Sequence, residues 1–157
     1  MKILTVYYSR TGNTRIIAQK ISEITKSDIE EIKDTKNRNG FFGFLISGYE
    51  AAKKKTTKIA VLKYDPSNYD IIIIGTPVWA GKMSVPIRTY ILNNKDKFNK
   101  VSFFCTFSFS PSNVFKDMEE TCNKKPIIKE AFKVSEIKSG KYIEKLNIFK
   151  TLISNNS

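Results

Sequence analysis

The stretch KILTVYYSRTGNTRIIAQKISEIT, residues 2–25, contains the three patterns on which the fold depends. Its beginning is a short apolar run rich in β-branched and aromatic side chains, which predicts a strand at residues 2–8. Its end places apolar residues at helical spacing, which predicts a helix at residues 13–25. The small polar turn SRTGNT lies between them. Such a turn caps a helix well, and its backbone N–H groups also favour a bound phosphate.

Four further strand patterns follow this stretch, and each is separated from the next by a helical pattern. The strands are predicted at residues 28–33, 70–75, 101–107 and 131–137, and the helices at residues 41–54, 85–92, 112–122 and 140–153. This alternation predicts right-handed βαβ units that form a parallel sheet between layers of helices. The apolar run within residues 58–70 is interpreted as the connection to the third strand, because Pro66 interrupts it.

The strand order follows from the charge that each strand carries. The first, third and fourth strands, ILTVYY, DIIIIG and VSFFCTF, are nearly continuous apolar runs, as expected of parallel strands covered on both faces. The second and fifth, DIEEIK and AFKVSEI, carry several charges and therefore suit the edges. An α/β fold that meets this condition is a three-layer, doubly wound, five-stranded parallel sheet of order 2-1-3-4-5. Ligands bind such sheets at the switch point between strands one and three.

Length and apolar content indicate a single domain of ordinary size. With 157 residues, of which 41% are apolar, the chain is long enough to bury a core, and one domain is expected over residues 1–157. No apolar run reaches the length needed to span a bilayer. The first residues suit a strand better than a signal peptide, so we expect a cytoplasmic protein.

Two residue types limit the chemistry that the chain could perform. It contains no histidine, which excludes Ser–His–Asp and Cys–His catalysis and zinc sites of the HExxH type. Cys105 and Cys122 have no CxxC spacing, and Cys105, at the end of an apolar strand, is interpreted as a small buried side chain. If the protein is an enzyme, we therefore expect a bound cofactor to supply the chemistry.

The net charge of +12 arises from 27 basic and 15 acidic residues. Most lysines are spread along the chain, and recognisable nucleic-acid motifs are missing, which favours a solvated surface over a specific nucleic-acid site. A surplus of this size still favours encounters with acidic proteins or anionic small molecules.

Three loops are expected at the carboxyl edge of the sheet, because they follow strands one, three and four. They read SRTGNT (residues 9–14), TPVWAGKMS (residues 76–84) and TFSFSPS (residues 106–112). The first would cradle a phosphate, and the second carries Trp79, the only tryptophan. A phosphate cradle near aromatic loops suits flavin mononucleotide (FMN). The segment from Gly75 to Met83 is not a P-loop, since five residues separate its glycines and Met83 replaces the required Ser or Thr.

Nearly the whole chain resembles the flavodoxin family, the standard example of the 2-1-3-4-5 order. SRTGNT after an apolar strand resembles the FMN phosphate loop of the family. IIIIGTPVWAGKMSVPIRTYI, residues 71–91, resembles the second loop and the following helix of a flavodoxin-like subgroup. The resemblance implies non-covalent FMN, one- or two-electron redox chemistry, and small redox proteins or quinones as partners. The basic charge departs from the family, as does the third loop, which lacks the glycines or acidic residues often found there.

The resemblance also implies a set of cofactor-binding residues. The phosphate is expected at Ser9, Thr11, Gly12, Asn13 and Thr14, and Arg10 either neutralises it or is solvated. The flavin ring is expected along Thr76, Pro77, Val78 and Trp79, near the Ala80–Gly81 peptide at its N5 atom, and against Thr106, Phe107 and Ser108. Trp79 is the expected stacking side chain.

Alternatives remain open for these sites and for the function. SRTGNT could serve only as a helix cap, and Trp79 only as a half-buried structural residue. The aromatic segment GFFGFLISGYEAA, residues 40–52, is expected to pack mostly on the sheet, with any exposed remainder acting as a docking patch or a flavin lid. The protein is an electron carrier with acidic redox partners, an FMN-dependent quinone-type reductase, or a flavin-free binding module that uses its basic surface.

Overall fold

The structure is a computed structural model that describes residues 1–155, and the last two residues of the predicted domain, 156 and 157, lie outside the described residues. The strands are β1 (Ile3–Tyr7), β2 (Asp28–Glu31), β3 (Ile71–Trp79), β4 (Lys82–Met83), β5 (Lys100–Phe107) and β6 (Lys129–Lys133). The helices are α1 (Asn13–Thr25), α2 (Gly40–Ala52), α3 (Val85–Asn94), α4 (Val114–Cys122), α5 (Val134–Ser139) and α6 (Ile143–Asn155). Within residues 1–155, no helix is both long and apolar enough to cross a membrane.

Five strands form a parallel sheet in the order β2-β1-β3-β5-β6. This is the predicted order 2-1-3-4-5, and the predicted fold class is confirmed. The additional strand β4 is only two residues long and pairs antiparallel with the end of β3. Because β1, β3 and β5 are parallel neighbours, the loops that follow them open at one edge of the sheet, as expected.

The inner strands owe their position to apolar side chains on both faces. The four isoleucines of β3, Ile71 to Ile74, are completely buried. Their side chains alternate between two separate cores, as the two-residue period of a strand requires. One core packs beneath α3, α4 and the end of α2, and the other beneath α1, α5 and α6. The charged strands β2 and β6 are the edges, as predicted.

The fifth predicted strand, residues 131–137, was drawn too long, because helix α5 begins at Val134. The Glu136 carboxylate accepts a hydrogen bond from the Lys133 backbone N–H at 3.2 Å, which satisfies a donor at the start of the helix. The alternating pattern of FKVSEI hides this signal. Gly140, at φ 77°, ends α5, so α6 begins at Ile143 and not at residue 140.

Residues 40–52 were expected to pack their aromatic side chains mostly on the sheet, and this prediction was wrong. These residues form a helix, but Gly43, Ser47 and Ala51 are its buried residues, whereas the large apolar side chains are mostly exposed. A Cβ atom on Gly43 would lie 2.4 Å from the Arg38 carbonyl carbon. The helix therefore packs through small residues because the neighbouring backbone leaves no room for larger ones.

Residues 58–70 connect α2 to β3, as expected, and contain no strand among their described residues. Ile59 forms an isolated antiparallel bridge with Asp34. The Glu30 carboxylate on β2 accepts hydrogen bonds from the backbone N–H groups of Lys63 and Tyr64. A short 3-10 turn, Pro66–Asn68, ends the segment. These contacts hold the connection along the β2 edge of the sheet.

The contact between Gly75 and Phe104 generates a stability prediction. A Cβ atom on Gly75 would lie 2.0 Å from Phe104 Cζ, so Gly75→Ala requires the ring to move within a packed core. We expect a loss of about 2 kcal/mol in the free energy of unfolding, measured by urea denaturation. Gly48→Ala is the matched control. Its added Cβ meets nothing within 4 Å, so it should stabilise α2 by about 0.5–1 kcal/mol. Equal losses in both variants would contradict the packing argument.

Candidate functional site

The first loop brings α1 to the carboxyl edge with an open N-terminus. Gly12 precedes the helix at φ 97°, a left-handed conformation that glycine adopts without strain. Its N–H donates to Ser9 Oγ at 3.1 Å, which closes the loop. No side chain of the described residues caps the helix by a hydrogen bond. The N–H groups of the first turn therefore remain available to an acceptor from outside the chain, and the helix dipole favours an anion there.

The second loop is a tight β-hairpin turn. Trp79 pairs with Lys82 across β3 and β4, and the two residues between them, Ala80 and Gly81, have φ values of 48° and 73°. Positive φ at both central positions identifies a type I′ turn. A Cβ atom on Gly81 would lie 2.9 Å from Ser112 Oγ, so the turn lies against the third loop.

A buried hydrogen bond joins the first loop to the third. Thr14 Oγ1 and Thr106 Oγ1 are 2.7 Å apart, and both side chains are buried. This bond links the start of α1 to the end of β5 across β1 and β3. The threonine hydroxyls predicted to contact a ligand thus hold the two loops together, and each remains at the border of the opening between them.

Two adjoining cavities lie among these loops. The larger, of about 460 Å³, is lined mainly by apolar and aromatic residues from loops two and three and from α2: Phe44, Gly48, Val78, Trp79, Ala80, Gly81, Phe107, Ser108, Phe109, Ser110 and Ser112. The smaller, of about 130 Å³, is lined by Arg10, Thr11, Asn13, Thr14, Phe44, Pro77, Val78, Trp79, Thr106, Phe107, Ser108 and Val134. Because five residues line both, the two cavities adjoin, and the open N-terminus of α1 lies next to the aromatic cavity.

Trp79 lies where the two cavities meet, but most of its surface is already covered. Only 7% of the residue is exposed. The Tyr8 ring contacts it edge to face, with ring centres 5.5 Å apart, and the Arg38 guanidinium carbon lies 5.5 Å from its ring centre. The remaining surface of Trp79 faces the cavities, so a flat ligand could meet it on one side only.

Two carboxylates hold Arg38 over the ring of Trp79. The Arg38 side chain is 2% exposed and donates to Asp34 Oδ2 and, at 2.8 Å, to Glu50 Oε2. Its Nη2 atom has no partner among the described residues. Sequence analysis did not single out this arginine, because a buried cation has no signature in the pattern of apolar residues.

The predicted site residues divide into three groups by their position. Most of those on the three loops line one or both cavities. Ser9 and Gly12 shape the first loop, and Ser9 also lines a polar cavity of about 300 Å³ beside it. Thr76 is completely buried, and its Oγ1 atom lies 3.1 Å from Ser84 Oγ, so its side chain belongs to the interior.

The sequence predictions omitted several cavity residues. Phe44 and Gly48 come from α2, and Phe109, Ser110 and Ser112 extend the third loop. The unusually aromatic segment at residues 40–52 was the available signal for Phe44. Arg10, whose role was left open, lines the smaller cavity, and its guanidinium carbon lies 5.1 Å from the Phe44 ring centre.

The two thiols lie in the protein interior. Burial raises the pKa of Cys105 to about 12 and that of Cys122 to about 11. Both therefore remain protonated near neutral pH, as is typical of structural cysteines and not of reactive ones.

Solved structures resemble this chain, although no protein-family model matches it and no curated protein does. The flavoprotein from Lactobacillus acidophilus, crystallised in complex with FMN, is 28% identical, with a TM-score of 0.72 over 88% of this chain and 97% of its own. The NMR structure of its apo-form is 29% identical, with a TM-score of 0.65 over 87% and 95%. Oxidised flavodoxin 2 from Bacillus cereus is 16% identical, with a TM-score of 0.61 over 100% of both chains, and shows the fold alone.

The buried thiols lead to a prediction for chemical labelling. With raised pKa values and no exposure, Cys105 and Cys122 should not react with Ellman's reagent at pH 8 in the folded protein. Both should react after unfolding in guanidinium chloride, which provides the control for total thiol. Rapid labelling of either thiol in the folded state would contradict the buried positions.

Proposed function

The chain is flavodoxin-like, and we propose that it is a redox protein that binds FMN non-covalently at the carboxyl edge of its sheet. The observation that carries the proposal is that the uncapped N-terminus of α1 lies next to the aromatic cavity. FMN has one phosphate and one flat tricyclic ring, joined by a chain of hydroxyl-bearing carbons. The two ends of the site match those two ends of the molecule.

The phosphate end fits the first loop. The first-turn N–H groups of α1 and the hydroxyl group of Thr11 would bind the phosphate oxygens. A phosphate can approach the backbone at Gly12, because the space around this residue is open: an added Cβ would meet nothing within 4 Å. Arg10 lines the same cavity and would add positive charge. The L. acidophilus flavoprotein, which was crystallised in complex with FMN, supports FMN as the ligand.

The ring end fits the larger cavity. A volume of about 460 Å³ is within the usual range for sites that bind small molecules and cofactors. Phe44, Trp79 and Phe107 would contact the ring through apolar surface, and the Ala80–Gly81 turn lies at the rim. Since glycine accepts positive and negative φ, this peptide could present either its N–H or its C=O to the ring.

Bound FMN would supply the electron transfer, in steps of one or two electrons. The side chains would bind the cofactor, orient its ring and exclude water from one of its faces. The chain has no histidine, and both its thiols are buried and protonated. We therefore propose that the electrons pass directly between FMN and a partner, either a quinone-like small molecule or an acidic redox protein. A colourless protein that does not take up FMN would favour a flavin-free binding module instead.

The phosphate assignment is tested by Asn13→Asp. Asn13 is the first residue of α1, where an acidic side chain stabilises a helix, but the added charge would repel a phosphate. At an effective dielectric constant of about 20, repulsion over about 4 Å amounts to several kcal/mol for each unit charge, so we expect at least about tenfold weaker FMN binding. Titration of apo-protein, followed by quenching of the single tryptophan Trp79, measures it and also reports cavity occupancy.

Two controls separate phosphate recognition from a loss of structure. Riboflavin lacks the phosphate, so Asn13→Asp should leave its affinity unchanged. Asn147→Asp adds the same charge to the exposed surface of α6 and should not affect FMN. If mixing wild-type apo-protein with FMN changes neither the FMN emission nor the Trp79 emission, FMN binding itself is disproved. If Asn13→Asp weakens both flavins equally, the phosphate is bound elsewhere.

The charge of the protein should control how fast it meets an acidic protein partner. With a net charge of +12, association with an acidic redox protein should slow as salt is added, because the screening length falls from about 10 Å at 0.1 M to about 3 Å at 1 M. Stopped-flow oxidation of the reduced protein measures the rate, and a neutral quinone should show little dependence on salt.

Matched lysine variants locate the charge that matters. Lys82 follows the Ala80–Gly81 turn, whereas Lys141 lies between α5 and α6. Lys82→Gln should therefore slow the oxidation by the acidic protein more than Lys141→Gln does. A rate that is flat with salt, or that rises, would show that the basic surface serves solvation and not steering.

A further inference from the structure

Helix α2 presents an apolar face to solvent at the rim of the cavity. Six large apolar residues of this helix are exposed: Phe41, Phe42, Phe44, Leu45, Ile46 and Tyr49. Phe41 and Phe42 are 70% and 77% exposed, so they project from the surface. We call these six residues the α2 face. A contiguous patch of this size and aromatic content on a small domain marks an interaction surface.

The α2 face results from how the helix is anchored. Gly43, Ser47 and Ala51 recur at four-residue intervals and are its buried residues. Arg38 donates to Ser47 Oγ at 3.3 Å and to Glu50 Oε2 at 2.8 Å, which fixes the helix to the loop before it. The small residues thus occupy the interior side, and the large apolar residues remain on the outside of a well-anchored helix.

Positive charge surrounds the α2 face. Residues 33–58 contain six lysines, the buried Arg38 and two acidic residues. Both of the acidic ones, Asp34 and Glu50, are bound by Arg38, so they offer little negative charge to the outside. Arg10 lies over the Phe44 ring and Lys55 over the Tyr49 ring, each with its charged group 5.1 Å from the ring centre. The exposed lysines 53, 54 and 55 follow the helix directly.

We propose that the α2 face docks on the surface of an anionic lipid membrane. Projecting aromatic and aliphatic side chains enter the boundary between headgroups and acyl chains, and the surrounding cations attract acidic headgroups. The helix has 13 residues and would lie on the surface without spanning it.

Charge and shape favour a membrane over protein partners. A second copy of the chain would bring two strongly basic surfaces together, which opposes association. An acidic protein would match the charge, but it would also need a groove shaped for Phe41 and Phe42, which project from the α2 face. A bilayer receives projecting side chains without a matching shape.

Docking in this way has a consequence for the substrate, and this consequence alone rests on the proposed function. Phe44 belongs to the α2 face and also lines both cavities, and Gly48 lines the larger. A membrane against the α2 face therefore covers the rim of the proposed FMN site. The electron acceptor that fits this position is a lipid-soluble quinone, which reaches the cavity from the acyl region.

Co-sedimentation with vesicles tests the docking directly. Wild-type protein should bind vesicles of phosphatidylcholine containing about one quarter phosphatidylglycerol at least about tenfold more tightly than vesicles of phosphatidylcholine alone. Phe41→Ser with Phe42→Ser should weaken that binding by about tenfold or more, because two exposed rings can no longer enter the bilayer. Ile143→Ser with Ile148→Ser is the matched control. These residues of α6 are 59% and 55% exposed and should have little effect.

The charge contribution has its own pair of variants. Lys53→Gln with Lys55→Gln should weaken binding to anionic vesicles and leave the small binding to neutral vesicles unchanged. Lys138→Gln with Lys141→Gln removes the same charge near α5 and should have a smaller effect. The measurements are made with and without added FMN. Docking is expected in both cases, so a failure of FMN binding is distinguishable from a failure of docking.

Four results would overturn the proposal. The first is equal binding to neutral and anionic vesicles, or none to either. The second is an equal loss for the α2 and α6 variants. The third is a dimer in sedimentation velocity that dissociates on Phe41→Ser with Phe42→Ser while vesicles bind neither protein, which would assign the α2 face to a second copy. Retention by an immobilised acidic protein without vesicle binding would likewise assign it to a protein partner.

Discussion

The close approach of β3 and β5 at Gly75 is the constraint on which the site depends. Gly75 pairs with Tyr7 on one side and with Phe104 on the other, and the Phe104 ring occupies the space that a Cβ would need. Phe104 then packs against Phe132 on the edge strand β6, with ring centres 6.4 Å apart. Because Gly75 has no side chain, the Phe104 ring of β5 can lie over the central strand β3 and still contact Phe132 on the edge strand β6. The same register places the ends of β1, β3 and β5 together, and the three loops follow from it.

Two buried arginines, each paired with one or two carboxylates, connect structural elements next to the cavities. Asp117 of α4 accepts hydrogen bonds from Arg88 of α3 and from the Met83 backbone N–H of β4, so it fixes the hairpin that carries Gly81. Arg38 joins Asp34 to Glu50 and lies over Trp79. Buried pairs of this kind contribute little net stability, because the charges lose their hydration. Their effect here is geometric, since Asp117 connects the hairpin to α3 and α4, and Arg38 connects the segment before α2 to that helix.

The sequence predicted the sheet well because its signals are local and strong. Apolar runs identified the inner strands, charges identified the edges, and SRTGNT predicted both the start of α1 and the open loop before it. The orientation of α2 could not be predicted in the same way. Large apolar residues normally face a core, whereas here the Arg38 backbone approaches Gly43 so closely that a larger side chain would not fit on that side. The contribution of Phe44 to the cavity follows from this orientation of α2, and so it was missed as well.

Among the described residues, the side chains near the site include no group that would gain or lose a proton near neutral pH, so a bound cofactor would have to supply the redox chemistry. Burial raises the pKa of Tyr8 beside Trp79, so its phenol stays protonated at neutral pH, and the Cys105 thiol is protonated for the same reason. With no histidine in the sequence, the side chains contribute position, shape and charge. Under the proposed function, a redox partner would be selected by what can approach a ring in the larger cavity. That approach would pass the Ala80–Gly81 turn, Phe109 and α2, which line the larger cavity, so the surface proposed to select the partner adjoins the apolar and basic α2 face.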